Sequence, residues 1–263
     1  MHPIMLLASN LAKTFDRATL VLGRAGTVGG MELNAARILV VGATGVLGAA
    51  AAARMTSAGA RLAVTGRRPE ELRQVAQRLG TPHSFVLDLV DVEQCVTVVA
   101  EAAAQLGGLD GLLVASGVAA FGRARDDDDA VVEELFAVNT LGPMALVRAT
   151  LPLLSPGGCV AVITAVLADV PTAGMAAYSA SKAATSAYLT AVRREVRRDK
   201  ITVLDIRPPH LHTGLADRAL AGEPPRMPAG GDVDQLVELL VRGMAEGSSE
   251  LVADLKAGTV SLR

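Results

Sequence analysis

Ile38-Leu39-Val40-Val41-Gly42-Ala43-Thr44-Gly45-Val46-Leu47-Gly48 is the stretch that decides the fold. Four aliphatic residues form a strand covered on both faces. Glycines at 42, 45 and 48 then allow a tight turn, and Ala49 to Ala53 continue as a helix. Strand, glycine turn and helix make the first unit of a parallel sheet. The turn also brings backbone N–H groups at a helix start to where a pyrophosphate can sit. The competing reading is a plain strand-to-helix turn.

Outward from this unit the pattern repeats. Apolar runs of strand length fall at 38–41, 62–65, 84–87, 111–115, 159–164, 201–206 and 250–253. Helical stretches fall at 46–57, 69–79, 92–106, 127–154, 177–198 and 232–246. The alternation predicts an α/β fold: a doubly wound parallel sheet of about seven strands, helices on both faces, right-handed crossovers. No boundary interrupts it, so residues 33–263 read as one domain. Residues 1–32 read as an extension, possible helix at 6–22, joined by Gly23, Gly26, Gly29 and Gly30. It is either a frayed tail or a helix that packs on a partner subunit. Residues 207–231 hold five of the twelve prolines and follow the sixth strand, as a lid over a ligand would. The four acids at 126–129 read as a helix N-terminus with its cap.

Composition narrows the function. The 263 residues carry 25 Lys+Arg against 27 Asp+Glu, a net charge of −2. That balance gives no electrostatic case for nucleic acid or an anionic membrane. A mean hydropathy of +0.39 excludes a disordered chain. Aromatic residues are only 2%, against stacking platforms for single strands. Cys95 and Cys159 lie in apolar runs and are too few for a disulfide framework, which suits a cytoplasmic protein. No apolar run is long enough to span a membrane without a charge. His210 and His212 have no acid or cysteine beside them, so no metal site is expected.

Two further stretches carry chemistry. Val64-Thr65-Gly66-Arg67-Arg68 ends the second strand. An acid there would bind a ribose 2′-hydroxyl. Arg67 and Arg68 instead suit a 2′-phosphate, which points to NADP(H) over NAD(H). Tyr178-Ser179-Ala180-Ser181-Lys182 follows the fifth strand. Tyr and Lys four apart share a helix face, and the ammonium should lower the phenol's pKa to a usable range.

Together these residues resemble the short-chain dehydrogenase/reductase family over about residues 33–253, which implies a Rossmann fold. Gly42, Thr44, Gly45, Val46, Leu47 and Gly48 match its nucleotide loop, and Asp88 and Leu89 its adenine contact. Ala115, Ser116 and Gly117 stand where the family has Asn-Ala-Gly, with Val114 at the first Asn of that motif. Pro208, Leu211 and Thr213 match the loop that holds the nicotinamide, although Pro209 replaces a glycine. The resemblance implies a catalytic set of Asn139, Tyr178 and Lys182. Tyr178 exchanges a proton with the substrate, Lys182 binds ribose and holds down the Tyr pKa, and Asn139 holds a water.

The sequence departs from the family in two main ways. The glycine spacing is GxxGxxG rather than GxxxGxG. The position of the family's serine, thirteen residues before the tyrosine, is Ala165. Thr164 can replace that serine only if the strand end bulges, because neighbours on a strand face opposite ways. The expected function is NADP(H)-dependent interconversion of a carbonyl and a secondary alcohol on a small hydrophobic molecule. The alternative is a cofactor-binding sensor or scaffold with impaired catalysis. The family's pairing of long helices implies a homodimer or homotetramer, with Leu135, Val138, Leu146, Ala184, Ala187 and Ala191 on the shared face.

Overall fold

The computed structural model describes residues 30–226 and 230–263. The helix expected at 6–22 and Pro228 of the lid lie outside the described residues. The strands are β1 (Arg37–Val41), β2 (Arg61–Gly66), β3 (His83–Val86), β4 (Leu109–Val114), β5 (Leu154–Ile163), β6 (Thr202–Arg207), β7 (Glu250–Asp254) and β8 (Thr259–Leu262). They form one sheet in the order β3-β2-β1-β4-β5-β6-β7-β8. The first seven run parallel, as the alternation predicts. The eighth is a correction: β8 pairs antiparallel with β7 at the sheet edge. Its four residues are too short and half exposed to stand out as an apolar run.

The helices are α1 (Val46–Ser57), α2 (Pro69–Leu79), α3 (Val92–Leu106), α4 (Asp129–Phe136), α5 (Gly142–Thr150), α6 (Ala176–Glu195) and α7 (Val233–Glu246). Their ends have local causes. Asp91, Asp128 and Asp232 cap α3, α4 and α7 by accepting first-turn N–H groups. Gly80, Gly107 and Gly247 end α2, α3 and α7 in the left-handed region. The single helix expected at 127–154 is instead α4 and α5 joined by a π-helical turn, Ala137–Leu141. Pro143 sits at the start of α5, which continues from the π turn, and has no N–H to offer the Asn139 carbonyl four residues before it.

Two apolar layers flank the sheet. One packs α3, α4, α5 and α6 against Leu39, Leu112 and Val160. The other packs α1, α2 and α7 against Ile38, Leu113 and Leu204. Met31 is buried in the second layer, and its N–H approaches the Met244 carbonyl at 3.4 Å. The packed domain therefore starts at least two residues earlier than residue 33.

The stretch Asp129–Leu153 has the length and composition of a membrane span, yet 50% of its apolar window is buried. Leu135, Val138 and Leu146 point into the protein's own core, so they cannot form the expected face between subunits. Ala187 and Ala191 of α6 and Leu141 of the π turn are among the exposed apolar side chains nearby. The lid is tied down at its middle: Leu220 N–H donates to Ala119 O (2.8 Å), and Phe121 N–H donates to Ala221 O (2.9 Å).

Candidate active site

The strand order reverses between β1 and β4, and a cleft of about 580 Å³ opens at the C-terminal ends of these strands. Ligands of open α/β sheets bind at such a switch point. The glycine turn forms one end. Gly42 has φ +85°, and a side chain there would strike Ser116 Oγ. A side chain at 48 would strike the Gly42 carbonyl, so α1 lies directly on the turn. Gly45 differs. A Cβ there meets only Gly42 O, at an ordinary 3.5 Å. The chain itself has room for that side chain, so the bare backbone is space for a ligand. Helix α1 has no side-chain cap and no acid in its first turn. The N–H groups of Val46, Leu47 and Gly48 find no acceptor among the described residues. This is a cradle for an anion, and it fits a pyrophosphate.

The next wall carries Arg67 and Arg68. Arg68 precedes α2 and pairs with Glu71 at 2.7 Å. Arg67 has no ion-pair partner among the described residues, which makes it the arginine free to meet a phosphate. Asp88 and Leu89 follow β3 and line the same cleft, as do Thr44, Ala115, Ser116 and Gly117. Pro208, Leu211 and Thr213 form the opposite wall. His210 and His212 pack edge to face at 5.1 Å. Among the described residues no cluster of His, Cys, Asp or Glu could hold a metal.

Asn139 lies in the π turn, 1% exposed. Its Nδ2 donates to Val118 O (2.9 Å), and its Oδ1 accepts from Val118 N–H (3.0 Å). Nδ2 also reaches Ser181 Oγ at 3.1 Å. The side chain is thus spent on fixing the exit of β4. Gly117 precedes that exit. A Cβ there would come within 3.0 Å of Lys182 Nζ and 3.1 Å of Asn139 Oδ1, so only glycine lets these two groups approach it so closely.

Tyr178 and Lys182 share one face of α6 and both line the cleft. Lys182 Nζ donates to Ile163 O at 3.2 Å. The phenol hydroxyl has no hydrogen-bond partner among the described residues. Burial pushes the Tyr178 phenol up to about 12, the reverse of the expected lowering. Burial pulls Lys182 down to about 8, opposed by the charge of Asp205. The reason is common to both: burial disfavours charge on either group. Tyr178 is thus a neutral acid at physiological pH.

Thr164 is a correction. Its hydroxyl donates to Asp205 Oδ1 (2.5 Å) and lies 3.2 Å from Ile206 O. Thr164 lines the cleft, but its hydroxyl is committed to β6. No bulge turns it round: Thr164 N–H donates to Ile206 O at 2.8 Å in ordinary strand fashion. Ala165 faces the cleft in the serine's place and offers no donor. Sequence reading missed Asp205 and Arg207. Their signal is two charges in Thr202–Arg207, a strand whose residues are all buried. It also missed Met175, which lines the cleft. A buried apolar residue carries no mark of its role before the fold is known.

Comparison with known proteins agrees with this geometry. A family model described as short chain dehydrogenase matches residues 36–224. The chain is 32% identical over 206 residues to dehydrogenase/reductase SDR family member 7B of Xenopus laevis. That match covers 74% of this chain, which spans 64% of the relative's own length. A short chain dehydrogenase from Burkholderia cenocepacia, solved in complex with NADP, superposes with a TM-score of 0.74 at 26% identity. The superposition covers 82% of this chain and 93% of that one. A short-chain dehydrogenase from Streptomyces avermitilis gives a TM-score of 0.75 at 26% identity, with coverages of 84% and 89%.

The two shifted groups act on stability in separate pH windows. Lys182 has its pKa lowered from 10.5 to about 8. Between these values the unfolded chain holds a proton that the folded chain has released, so folding gains stability as pH rises. Measured by denaturant unfolding, wild type should gain on Lys182→Met from pH 8 to 10, by up to about 1.4 kcal/mol per pH unit. A difference independent of pH overturns the assignment. Above pH 10 the sign reverses for Tyr178, whose folded pKa is the higher one.

Proposed function

The chain belongs to the short chain dehydrogenase family of oxidoreductases, and on that premise we propose that it interconverts a carbonyl and a secondary alcohol using NADP(H). The observation that carries the reading is Tyr178, a buried phenol kept neutral in the wall of a cleft with an anion cradle at one end. A bound nicotinamide cofactor supplies or accepts the hydride. The chain's own residues do the rest. The N–H groups at the start of α1 hold the pyrophosphate, and Arg67 meets the 2′-phosphate. Tyr178 Oη gives its proton to the carbonyl oxygen in reduction and recovers one in oxidation. Lys182, beside it, stabilises negative charge on that oxygen.

The substrate is a small hydrophobic carbonyl compound. Val118, Ala119, Phe121, Leu167, Met175 and Leu215 support this, because they surround Tyr178 with apolar surface. With Ala165 in the serine's place and Thr164 engaged elsewhere, Tyr178 polarises the carbonyl without a second hydroxyl.

NADPH should bind tighter than NADH by fluorescence titration, and Arg67→Ala should remove that preference. Equal affinity in the parent protein overturns it. Tyr178→Phe should abolish turnover and spare NADPH binding. Ala165→Ser should raise kcat, by up to the roughly 10²-fold that one preorganised donor contributes. Full activity in Tyr178→Phe on a verified substrate would sink the assignment of roles.

The protein acts as a homodimer or homotetramer through the exposed face of α6 and the π turn. Ala187, Ala191 and Leu141 support this as apolar surface left open on adjacent elements. Light scattering should give at least a dimer at micromolar concentration; a monomer refutes it.

A further inference from the structure

Arg207 is a cation at the end of a central strand, with its side chain 9% exposed. Such a group persists only where it is paired. Arg207 is paired with three carboxylates on three elements. Nη1 lies 3.2 Å from Asp205 Oδ2 on its own strand. Nη2 lies 2.8 Å from Glu250 Oε1 on β7. Nε lies 3.1 Å from Asp169 Oδ2, a charge contact rather than an aligned hydrogen bond. Nη1 also donates to Ser186 Oγ of α6 at 3.2 Å.

Asp169 belongs to none of the large elements. It closes the short turn Val166–Ala168 that leaves β5. That turn is the cleft wall carrying Ala165 and Leu167. Val166 N–H of the same turn donates to Pro208 O, just past the end of β6, at 3.0 Å. Arg207 immediately precedes Pro208, the first residue of the cofactor-side loop. One guanidinium and the next carbonyl thus hold the substrate wall against the cofactor wall.

We propose that Arg207 is a positioning residue for the reaction: through Asp169 it fixes the wall at 165–169 relative to the loop at 208–213, and so sets where a substrate carbonyl stands against Tyr178. The inference rests on the oxidoreductase reading. It adds a residue that touches neither substrate nor cofactor. The placement has catalytic weight because small misplacements of reacting groups cost large factors in rate.

Asp169 gives the clean test, since its side chain is 51% exposed and its loss leaves no buried orphan carboxylate. In Asp169→Asn, amide hydrogen exchange should speed up at Val166, at Ala168 and at the substituted position itself, and stay unchanged in β6 and β7. KM for a carbonyl substrate should rise about tenfold, with a smaller fall in kcat and NADPH affinity unchanged. Asp169→Glu, which keeps the charge, should recover most of both effects. Unchanged exchange at these amides overturns the proposal whatever the activity. Faster exchange with KM and kcat intact also overturns it, because the tether would then have no bearing on the reaction. Equal losses in Asp169→Glu and Asp169→Asn overturn it as well. Failure of the functional reading looks different: the parent protein would not turn over any carbonyl, and exchange alone would then judge the tether.

Discussion

The two hydrogen bonds between the Asn139 amide and the backbone of Val118 are the constraint on which the site depends. A buried amide must have its donors and acceptor met, and here Val118 meets the acceptor and one donor while Ser181 Oγ takes the other. Those bonds register the helical stretch after β4 against the exit of β4 itself. The same turn fixes α6. Thr185 Oγ1 donates to the Asn139 carbonyl at 2.6 Å, and Thr140 Oγ1 donates to the Ser181 carbonyl at 2.9 Å. The π turn widens the helix at this place, so the Asn139 carbonyl is free to take a partner outside it. Tyr178 and Lys182 therefore stand at fixed positions relative to Gly117 rather than merely on a neighbouring helix.

On the other side of α6 lies a second polar layer. Asp205 accepts from Thr164 Oγ1 and from Ser186 Oγ, each at 2.5 Å, and pairs with Arg207. It explains why the serine's role is absent from the cleft. Positions 164 and 165 point to opposite sides of the strand end. The hydroxyl at 164 serves the polar contact between β6 and α6, and the methyl at 165 lines the cleft. The polar group is present but has been spent on holding β5 to β6.

Much of the architecture was legible because its punctuation is local. The glycine turn at 42–48, the aspartate caps at 91 and 232 and the left-handed glycines at 80, 107 and 247 each set an element end within a few residues. The residues of the cleft were legible through Arg67, Tyr178 and Lys182, whose types are uncommon at those places in such a pattern. What stayed hidden depends on distant partners. The π turn has no compositional mark. The early start of β5 at Leu154 is masked by Ser155-Pro156-Gly157-Gly158, which reads as a turn. The direction of the Tyr178 shift needed the extent of burial, which no spacing reveals. Asp205 and Arg207 sat in plain view as charges in an apolar strand, and their meaning required Asp169 and Glu250 to be brought beside them.

The charges around Tyr178 form a balance rather than a single favourable pair. Burial disfavours the ammonium of Lys182 and the phenolate of Tyr178 alike. Asp205 is the carboxylate whose field opposes the shift at Lys182. The same carboxylate is held by Arg207, so its field at Lys182 is only the part that the guanidinium leaves. Burial thus sets the direction at Lys182, and Asp205, itself held by hydroxyls of β5 and α6, limits how far the shift goes.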